Sequence, residues 1–144
     1  MSLALLHSRA RVGIAAPAVR IEVMLSGGLP HTTMVGLPEA AVRESRDRVR
    51  AALLCARFEY PQQRILINLA PADLPKEGGR FDLAIALGIL AASDQIDRQL
   101  LGNYEFLGEL ALTGELRGVD GALPAAIAAA QQGRTLVLAA GNGE

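Results

Sequence analysis

Residues 71–93, "PADLPKEGGRFDLAIALGILAAS", join a stiff, charged, glycine-containing loop to a run with almost no polar side chain. Pro71 and Pro75 stiffen the approach to the loop, and two adjacent glycines let the backbone turn tightly. The residues from about 81 to 93 predict an all-apolar helix in the interior of the domain. Asp82 is expected at the start of that helix, where its carboxylate can accept hydrogen bonds from the first backbone amides.

Strand and helix patterns alternate on both sides of this helix. Residues 18–28, "AVRIEVMLSGG", have the period of a half-buried strand that ends at a glycine turn, and residues 31–38, "HTTMVGLP", are predicted to be its antiparallel partner. The remaining predicted elements are a helix over 38–57, a central strand at 64–71, the apolar helix, a strand at 104–112, a turn at 113–115, a helix over about 122–132 and a strand at 135–140. This order predicts an α/β fold with a mixed sheet, an N-terminal antiparallel hairpin and about three helices.

Composition limits the class of protein. The 144 residues are 51% hydrophobic, which is enough for one compact core, so a single domain over residues 1–144 is expected. A formal net charge of -1 creates no bulk field that would draw the chain to nucleic acid or acidic lipid, so any such binding must come from a local patch. The single cysteine, Cys55, excludes an internal disulfide and fits a reducing cytosol.

The given residues predict neither a secretion signal nor a membrane-spanning helix. The N-terminus does not have the pattern of a secretion signal. The longest apolar run, residues 83–92, is about half of what a membrane-spanning helix needs. A soluble, cytoplasmic protein without membrane contact is expected.

Sequence motifs for a catalytic, cofactor or metal site are also missing. His7 and His31 lie in separate segments without the spacing of a ligand set. A phosphate-binding loop needs a lysine directly after its second glycine, whereas the one lysine of the chain, Lys76, follows Pro75. No catalytic, cofactor-binding or metal-binding residue is therefore predicted in this chain.

Four arginines form a candidate binding surface on the helix predicted over 38–57. At 100° per residue, Arg43, Arg46, Arg50 and Arg57 fall on one stripe beside the apolar side of the helix, where they could contact phosphates. The alternative is a solvated helix face whose charges form ordinary pairs four residues apart. Those pairs would be Glu39 with Arg43 and Glu44 with Arg48.

The loop motif resembles the core of the Lon-type serine peptidase domain, through "LPKEGGRFDLAIALGIL" followed by "GELALTGELRG". The resemblance implies a Pro-Lys-acid-Gly loop at residues 75–78 and a nucleophilic serine after it, but Arg80 occupies the serine position. The lysine that would serve as the base should lie at about 122–132, where there is none. A pair of Ser93 and Lys76 is the remaining peptidase hypothesis, and it requires both groups to come together.

A fuller resemblance covers essentially the whole chain. The motifs "SRARVG", "GLPEAAVRESRDRVRAAL", "INLAPADLPKEGGRFDLAIALGILAAS" and "YEFLGELALTGELRGV" resemble the N-terminal region of the competence protein ComM family, also called YifB or magnesium-chelatase-like proteins. Ala84 replaces a proline that is usual in that family. The resemblance implies a Lon-like α/β domain joined to a C-terminal AAA+ ATPase module, in a homohexameric ring that uses ATP and Mg²⁺ and acts on DNA in natural transformation.

The resemblance implies that the ATP-hydrolysing residues lie in a downstream AAA+ module absent from this chain, so this domain has no catalytic centre. Its expected role is contact with DNA, with neighbouring subunits, with its own AAA+ module or with partner proteins. A serine peptidase and a stand-alone DNA-binding module are the two alternatives. The candidate anion or DNA contacts are Arg43, Arg46, Arg50, Lys76 and Arg80, the last two because they leave the loop positively charged near a helix N-terminus.

Overall fold

The structure is a computed structural model that describes residues 2–36 and 38–143. The strands are β1 (Ser2–Arg9), β2 (Ala18–Ser26), β3 (His31–Val35), β4 (Arg64–Ala70), β5 (Tyr104–Phe106), β6 (Glu109–Leu110), β7 (Leu116–Arg117) and β8 (Thr135–Val137). The helices are α1 (Ala40–Arg43), α2 (Ser45–Cys55), α3 (Asp82–Ala92) and α4 (Ala122–Gln131). Within the described residues, no helix is long and apolar enough to span a bilayer.

Six strands form one mixed sheet in the order β3-β4-β2-β1-β5-β8, and β6 pairs with β7 in a separate hairpin. Neighbouring strands are antiparallel for β1–β2 and β2–β4 and parallel for β3–β4, β1–β5 and β5–β8. In register, Leu6 lies opposite Ile21, and Val23 lies opposite Ile67. The predicted α/β class, mixed sheet and N-terminal antiparallel hairpin are confirmed, as are three helices longer than one turn.

The strand pairing inside the hairpin differs from the prediction. Residues 18–26 pair with β1, whereas β3 lies at the sheet edge with β4 inserted between it and β2. The predicted neighbour was therefore wrong, although β2 and β3 do run in opposite directions; residue 37 of the predicted partner lies outside the described residues. Alternation reports which face of a strand is buried and not which strand lies beside it. The missed strand β1 exposes Leu3 and Leu5, which hides its alternation.

Two other predicted elements are interrupted. The helix expected over 38–57 is divided at Glu44 into the single-turn α1 and the longer α2. The strand expected over 104–112 is divided at Gly108, whose N–H donates to the Arg80 carbonyl at 3.0 Å and whose carbonyl accepts from the Leu83 N–H at 3.1 Å. Tertiary hydrogen bonds with the start of α3 thus replace strand pairing there.

Helix α3 is the centre of the core, as predicted. It packs against β1 and β2, and its residues are buried except for the half-buried Leu83 and Leu87. Gly88 marks the closest approach to the sheet, since a Cβ atom there would lie 2.6 Å from Val23 Cγ2 and 3.1 Å from Leu6 Cδ2. An all-apolar helix is stable here because neighbouring elements cover almost all of its surface.

Asp82 does not cap α3, so that expectation was wrong. Its buried carboxylate accepts hydrogen bonds from Arg48 Nε at 2.7 Å, from Arg48 Nη2 at 3.0 Å, from the Leu110 N–H at 3.0 Å and from the Ser45 hydroxyl. The bond to Asp82 raises the pKa of Arg48, against the effect of its partial burial. Asp82 therefore joins α2, α3 and β6 through one buried charge.

Candidate functional site

Lys76, in the loop before α3, is fully buried. Its Nζ donates hydrogen bonds to the carbonyl oxygens of Gly36, at 2.6 Å, and Pro71. Burial lowers the pKa of Lys76, and Asp73 opposes that effect. The ammonium group thus fastens the loop to the end of β3, and the anion contact predicted for Lys76 remains a prediction that its burial disfavours.

The serine and lysine of the peptidase hypothesis do not meet. The hydroxyl of Ser93 donates to the carbonyl of Ile89, one turn earlier in α3, at 2.8 Å. Among the described residues, no serine hydroxyl is hydrogen-bonded to Lys76. A serine nucleophile needs a base within hydrogen-bonding distance of its hydroxyl. The geometry around Lys76 therefore supports a structural loop.

Arg80 lies in the same loop, two residues before α3 begins, and is only 8% exposed. Its Nε donates to the Arg9 carbonyl at 3.0 Å and its Nη1 to the Asp120 carbonyl at 3.1 Å. Its Nη2 is buried and has no hydrogen-bond partner within the described part of the chain. Burial lowers the pKa of Arg80, and the nearby charge of Arg11 acts in the same direction. Arg80 is therefore a buried cation whose two bonded acceptors are both neutral.

A cleft of about 420 Å³ opens in front of Arg80. Four carboxylates and two guanidinium groups line it, and we call it the acidic cleft: Arg11, Glu39, Glu77, Arg80, Glu109 and Asp120. No group of carboxylate, histidine or cysteine side chains among residues 2–36 and 38–143 has the arrangement of a metal site. The acidic cleft can therefore offer separate negative charges and hydrogen bonds to an organic ligand.

The carboxylates of the acidic cleft differ in how they are bonded. Glu39 Oε1 accepts a hydrogen bond from the Gly78 N–H at 2.8 Å. Asp120 lies 3.5 Å from Arg11 in an ion pair that is mostly exposed. Among the described residues, the side chains of Glu77 and Glu109 have no hydrogen bond or ion pair. These two carboxylates are the ones left available to a ligand.

The predicted arginine stripe is exposed in the structure, but Arg57 lies beyond the end of α2 with a positive φ of 67°, so its place on the helix face was wrong. We call Arg43, Arg46 and Arg50 the arginine face. Arg46 donates to the carbonyls of Arg43 and Thr32, each at 3.3 Å, and the guanidinium of Arg50 lies 5.6 Å from the centre of the Tyr60 ring. Arg46, Arg50 and Tyr60 line a second cleft of about 350 Å³. The structure thus brings these cations together beside an aromatic ring.

The alternative of simple ion pairs along this helix is only partly realised. Arg48 lies 3.7 Å from Glu44, as that alternative requires, although its shorter contact is with Asp82. Glu39 instead accepts the hydrogen bond of the Gly78 amide and forms no ion pair with Arg43. Arg43 therefore has no acidic partner four residues away.

Sequence reasoning missed the acidic cleft as a site. Three of the acidic residues come from separate segments, and each is directly adjacent to a glycine in the sequence: Glu77, Glu109 and Asp120. Acidic residues at glycine turns are the only local signal, and it is weak because such residues are common in turns. Their convergence depends on the packing of the loop, the β6–β7 hairpin and the turn before α4.

Glu105 is another buried charge that the sequence did not indicate. It accepts hydrogen bonds from Arg9 Nε at 2.7 Å, from Arg9 Nη2 at 3.0 Å and from Arg134 Nε at 2.9 Å. Burial acts to raise the pKa of Glu105, but these hydrogen bonds outweigh it and hold the pKa below its usual value. Because both arginines donate to the same buried carboxylate, this cluster serves the fold.

A comparison with known protein families shows the family to which the chain belongs. The family model described as subunit ChlI of Mg-chelatase matches residues 21–142. The chain belongs to the ChlI family. Its similarity to the ComM/YifB proteins confirms the resemblance seen in the sequence motifs.

Three curated relatives show how this ChlI-family chain compares. Competence protein ComM of Haemophilus influenzae is 61% identical over 142 residues, which is 99% of this chain and 28% of that relative. Protein YifB of Escherichia coli is 56% identical over 142 residues, with the same coverage of both. An uncharacterized protein of Mycobacterium bovis is 43% identical over 133 residues, which is 92% of this chain and 26% of that relative. The chain thus spans little more than a quarter of the length of these relatives.

Proposed function

We propose that the chain is a Lon-like, non-catalytic N-terminal domain of a ComM-like, ATP-dependent DNA-processing motor in the cytoplasm. The whole protein would use a downstream AAA+ module, with ATP and Mg²⁺, and would act as a homohexamer in the integration of DNA during natural transformation. The name of the Haemophilus influenzae relative, a competence protein, supports this process. The role of the domain itself would be to contact DNA, neighbouring subunits or partner proteins.

The observation that carries the DNA contact is the arginine face. Arg43, Arg46 and Arg50 are exposed on consecutive turns, and none of them forms an ion pair with an acidic side chain in the described part of the chain. Exposed guanidinium groups on one face can neutralise successive phosphates and release the bound counterions. Arg50 lies over the partly buried Tyr60 ring, which holds its guanidinium group at this surface.

The geometry of the loop before α3 supports a non-catalytic role. Lys76 and Arg80 both donate to main-chain carbonyls, and neither is placed to activate a hydroxyl. Within the described residues, the loop that resembles a peptidase centre in sequence therefore has no serine hydroxyl bonded to its lysine. Any work done with ATP would come from residues of the longer protein.

A DNA-binding measurement tests the proposal. Fluorescence anisotropy with labelled single-stranded and duplex DNA, repeated over a range of salt concentrations, should show binding that weakens as salt increases. Replacing Arg43, Arg46 and Arg50 together with alanine should reduce the affinity at low salt by about tenfold or more and make the salt dependence shallower.

The matched control is Arg117→Ala, which removes one exposed arginine of the β6–β7 hairpin, away from the arginine face. This variant should bind DNA nearly as well as the unchanged chain. Absence of binding at low salt, or a loss of affinity for Arg117→Ala as large as that of the triple variant, would contradict the assignment of this surface.

A further inference from the structure

The acidic cleft has chemistry that the proposed DNA contact does not use. Arg80 lines it as a buried guanidinium group with one donor nitrogen lacking a partner among the described residues. A buried polar group without a hydrogen-bond partner is costly, so such a group in a native fold calls for an explanation. A ligand that brings an acceptor to the cleft supplies one.

The acceptor that fits Arg80 is a main-chain carbonyl. Its other two nitrogens already donate to carbonyl oxygens, those of Arg9 and Asp120. An anionic acceptor would meet the negative charges of the surrounding carboxylates, whereas a neutral carbonyl would not. For the same reason, the phosphate chain of DNA is a poor occupant of this cleft.

The remaining charges of the acidic cleft call for a cation. The carboxylates of Glu77 and Glu109 have no hydrogen-bond or ion-pair partner within the described residues, and Asp120 has only the exposed pair with Arg11. Within the described residues, no three of these acidic groups come together as metal ligands. A long, flexible basic side chain can reach separate carboxylates that a single ion cannot bridge.

We propose that the acidic cleft binds an extended peptide segment that carries an arginine or lysine side chain. On binding, a small shift of the cleft wall opens the buried Arg80 Nη2 to a main-chain carbonyl of the segment, and the basic side chain lies between Glu77 and Glu109. The volume of about 420 Å³ suits a short segment and lies within the usual range for ligand clefts. This site is separate from the arginine face and does not depend on DNA binding.

The test uses this chain and a short fluorescein-labelled peptide of alternating alanine and arginine, followed by fluorescence anisotropy. The peptide should bind, and binding should weaken with increasing salt. The double variant Glu77→Gln with Glu109→Gln keeps the shape of both side chains and removes their charge. It should weaken binding about five- to twentyfold, while DNA binding by the arginine face stays unchanged.

Three comparisons complete the design. The control variant Glu59→Gln, which changes an exposed carboxylate outside the cleft, should bind the peptide as the unchanged chain does. A peptide with glutamate in place of arginine should not bind. Spermidine, which has positive charges but no carbonyl group, should compete weakly.

Equal binding of the glutamate peptide, or an unchanged affinity of the folded double variant, would overturn the proposal. Competition by spermidine as effective as that by unlabelled peptide would show a non-specific cation site and would overturn the role of Arg80. Circular dichroism of each variant separates loss of binding from loss of fold.

Discussion

Replacing Asp82 with asparagine should cost the protein more stability than any exposed acidic substitution. The carboxylate of Asp82 is fully buried and faces only donors: two nitrogens of Arg48, the hydroxyl of Ser45 and the amide of Leu110. An asparagine of the same shape has one acceptor oxygen and an NH₂ group. That NH₂ group would point at a donor in either orientation, and Arg48 would lose its buried counter-ion and keep only the longer contact with the exposed Glu44, at 3.7 Å.

The magnitude follows from the burial of the pair. Breaking a buried ion pair costs about 3 to 5 kcal/mol, and the Arg48 side chain is 20% exposed, so water can replace part of the interaction. The expected loss is therefore about 2 to 4 kcal/mol. At about 4 °C per kcal/mol for a domain of this size, the Tm should fall by about 8 to 16 °C.

Urea unfolding at neutral pH, followed by circular dichroism, measures this loss directly. Glu59→Gln is the matched control because Glu59 is exposed and, among the described residues, only its backbone is hydrogen-bonded, and it should change the free energy of unfolding by less than about 0.5 kcal/mol. A double-mutant cycle with Arg48→Met should give a coupling of about 1 to 3 kcal/mol between the two sites. A loss below about 1 kcal/mol for Asp82→Asn, or a coupling near zero, would refute the reasoning.

Two further outcomes follow from the structure. Folding lowers the pKa of Glu105, so the ionised carboxylate stabilises the fold fully above the unfolded pKa of 4.5, and this stabilisation is lost as the pH falls through the lower folded pKa. Glu105→Gln should remove that part of the acid dependence of stability in urea titrations. An unchanged pH profile of this variant would contradict the role of Glu105. Gly88→Ala should destabilise the protein by about 1 to 2 kcal/mol, because the added Cβ atom would contact Val23 and Leu6. Gly27→Ala is the control in the same thermal melts, because the space around Gly27 is open. Equal Tm values for the two variants would contradict the close contact at Gly88.

Local features of the fold were predictable from the sequence. The apolar run of α3 identified a buried helix, the alternation in residues 18–26 identified one interior strand, and the β-rich run at residues 64–71 identified another. These elements depend on the hydrophobic period of neighbouring residues, which is visible in the chain itself. The single strand expected over 104–112 was wrong, because hydrogen bonds from a distant segment interrupt strand pairing at Gly108. The single helix expected over 38–57 was also wrong, because nothing in the local pattern marks the turn at Glu44.

Some of the candidate anion or DNA contacts could be predicted from the sequence, and others could not. The exposure of Arg43, Arg46 and Arg50 follows from helical spacing, so the sequence could place them on one face. The burial of Lys76 and Arg80 could not be predicted, since their acceptors belong to other segments of the chain. A charged residue in a loop looks the same in sequence whether it faces solvent or the backbone of a neighbouring strand.

The sequence by itself determined the α/β class, the buried helix α3 and the membership of the ChlI family, because these depend on local periodicity and on long motifs. Tertiary structure alone decided which strands are neighbours, which groups Asp82 and Arg80 bond, and where the acidic cleft forms. Arg48 and Asp82 are 34 residues apart, and Arg9 and Glu105 are 96 apart. Buried charges find partners wherever packing brings them together, so their pairing depends on the whole fold.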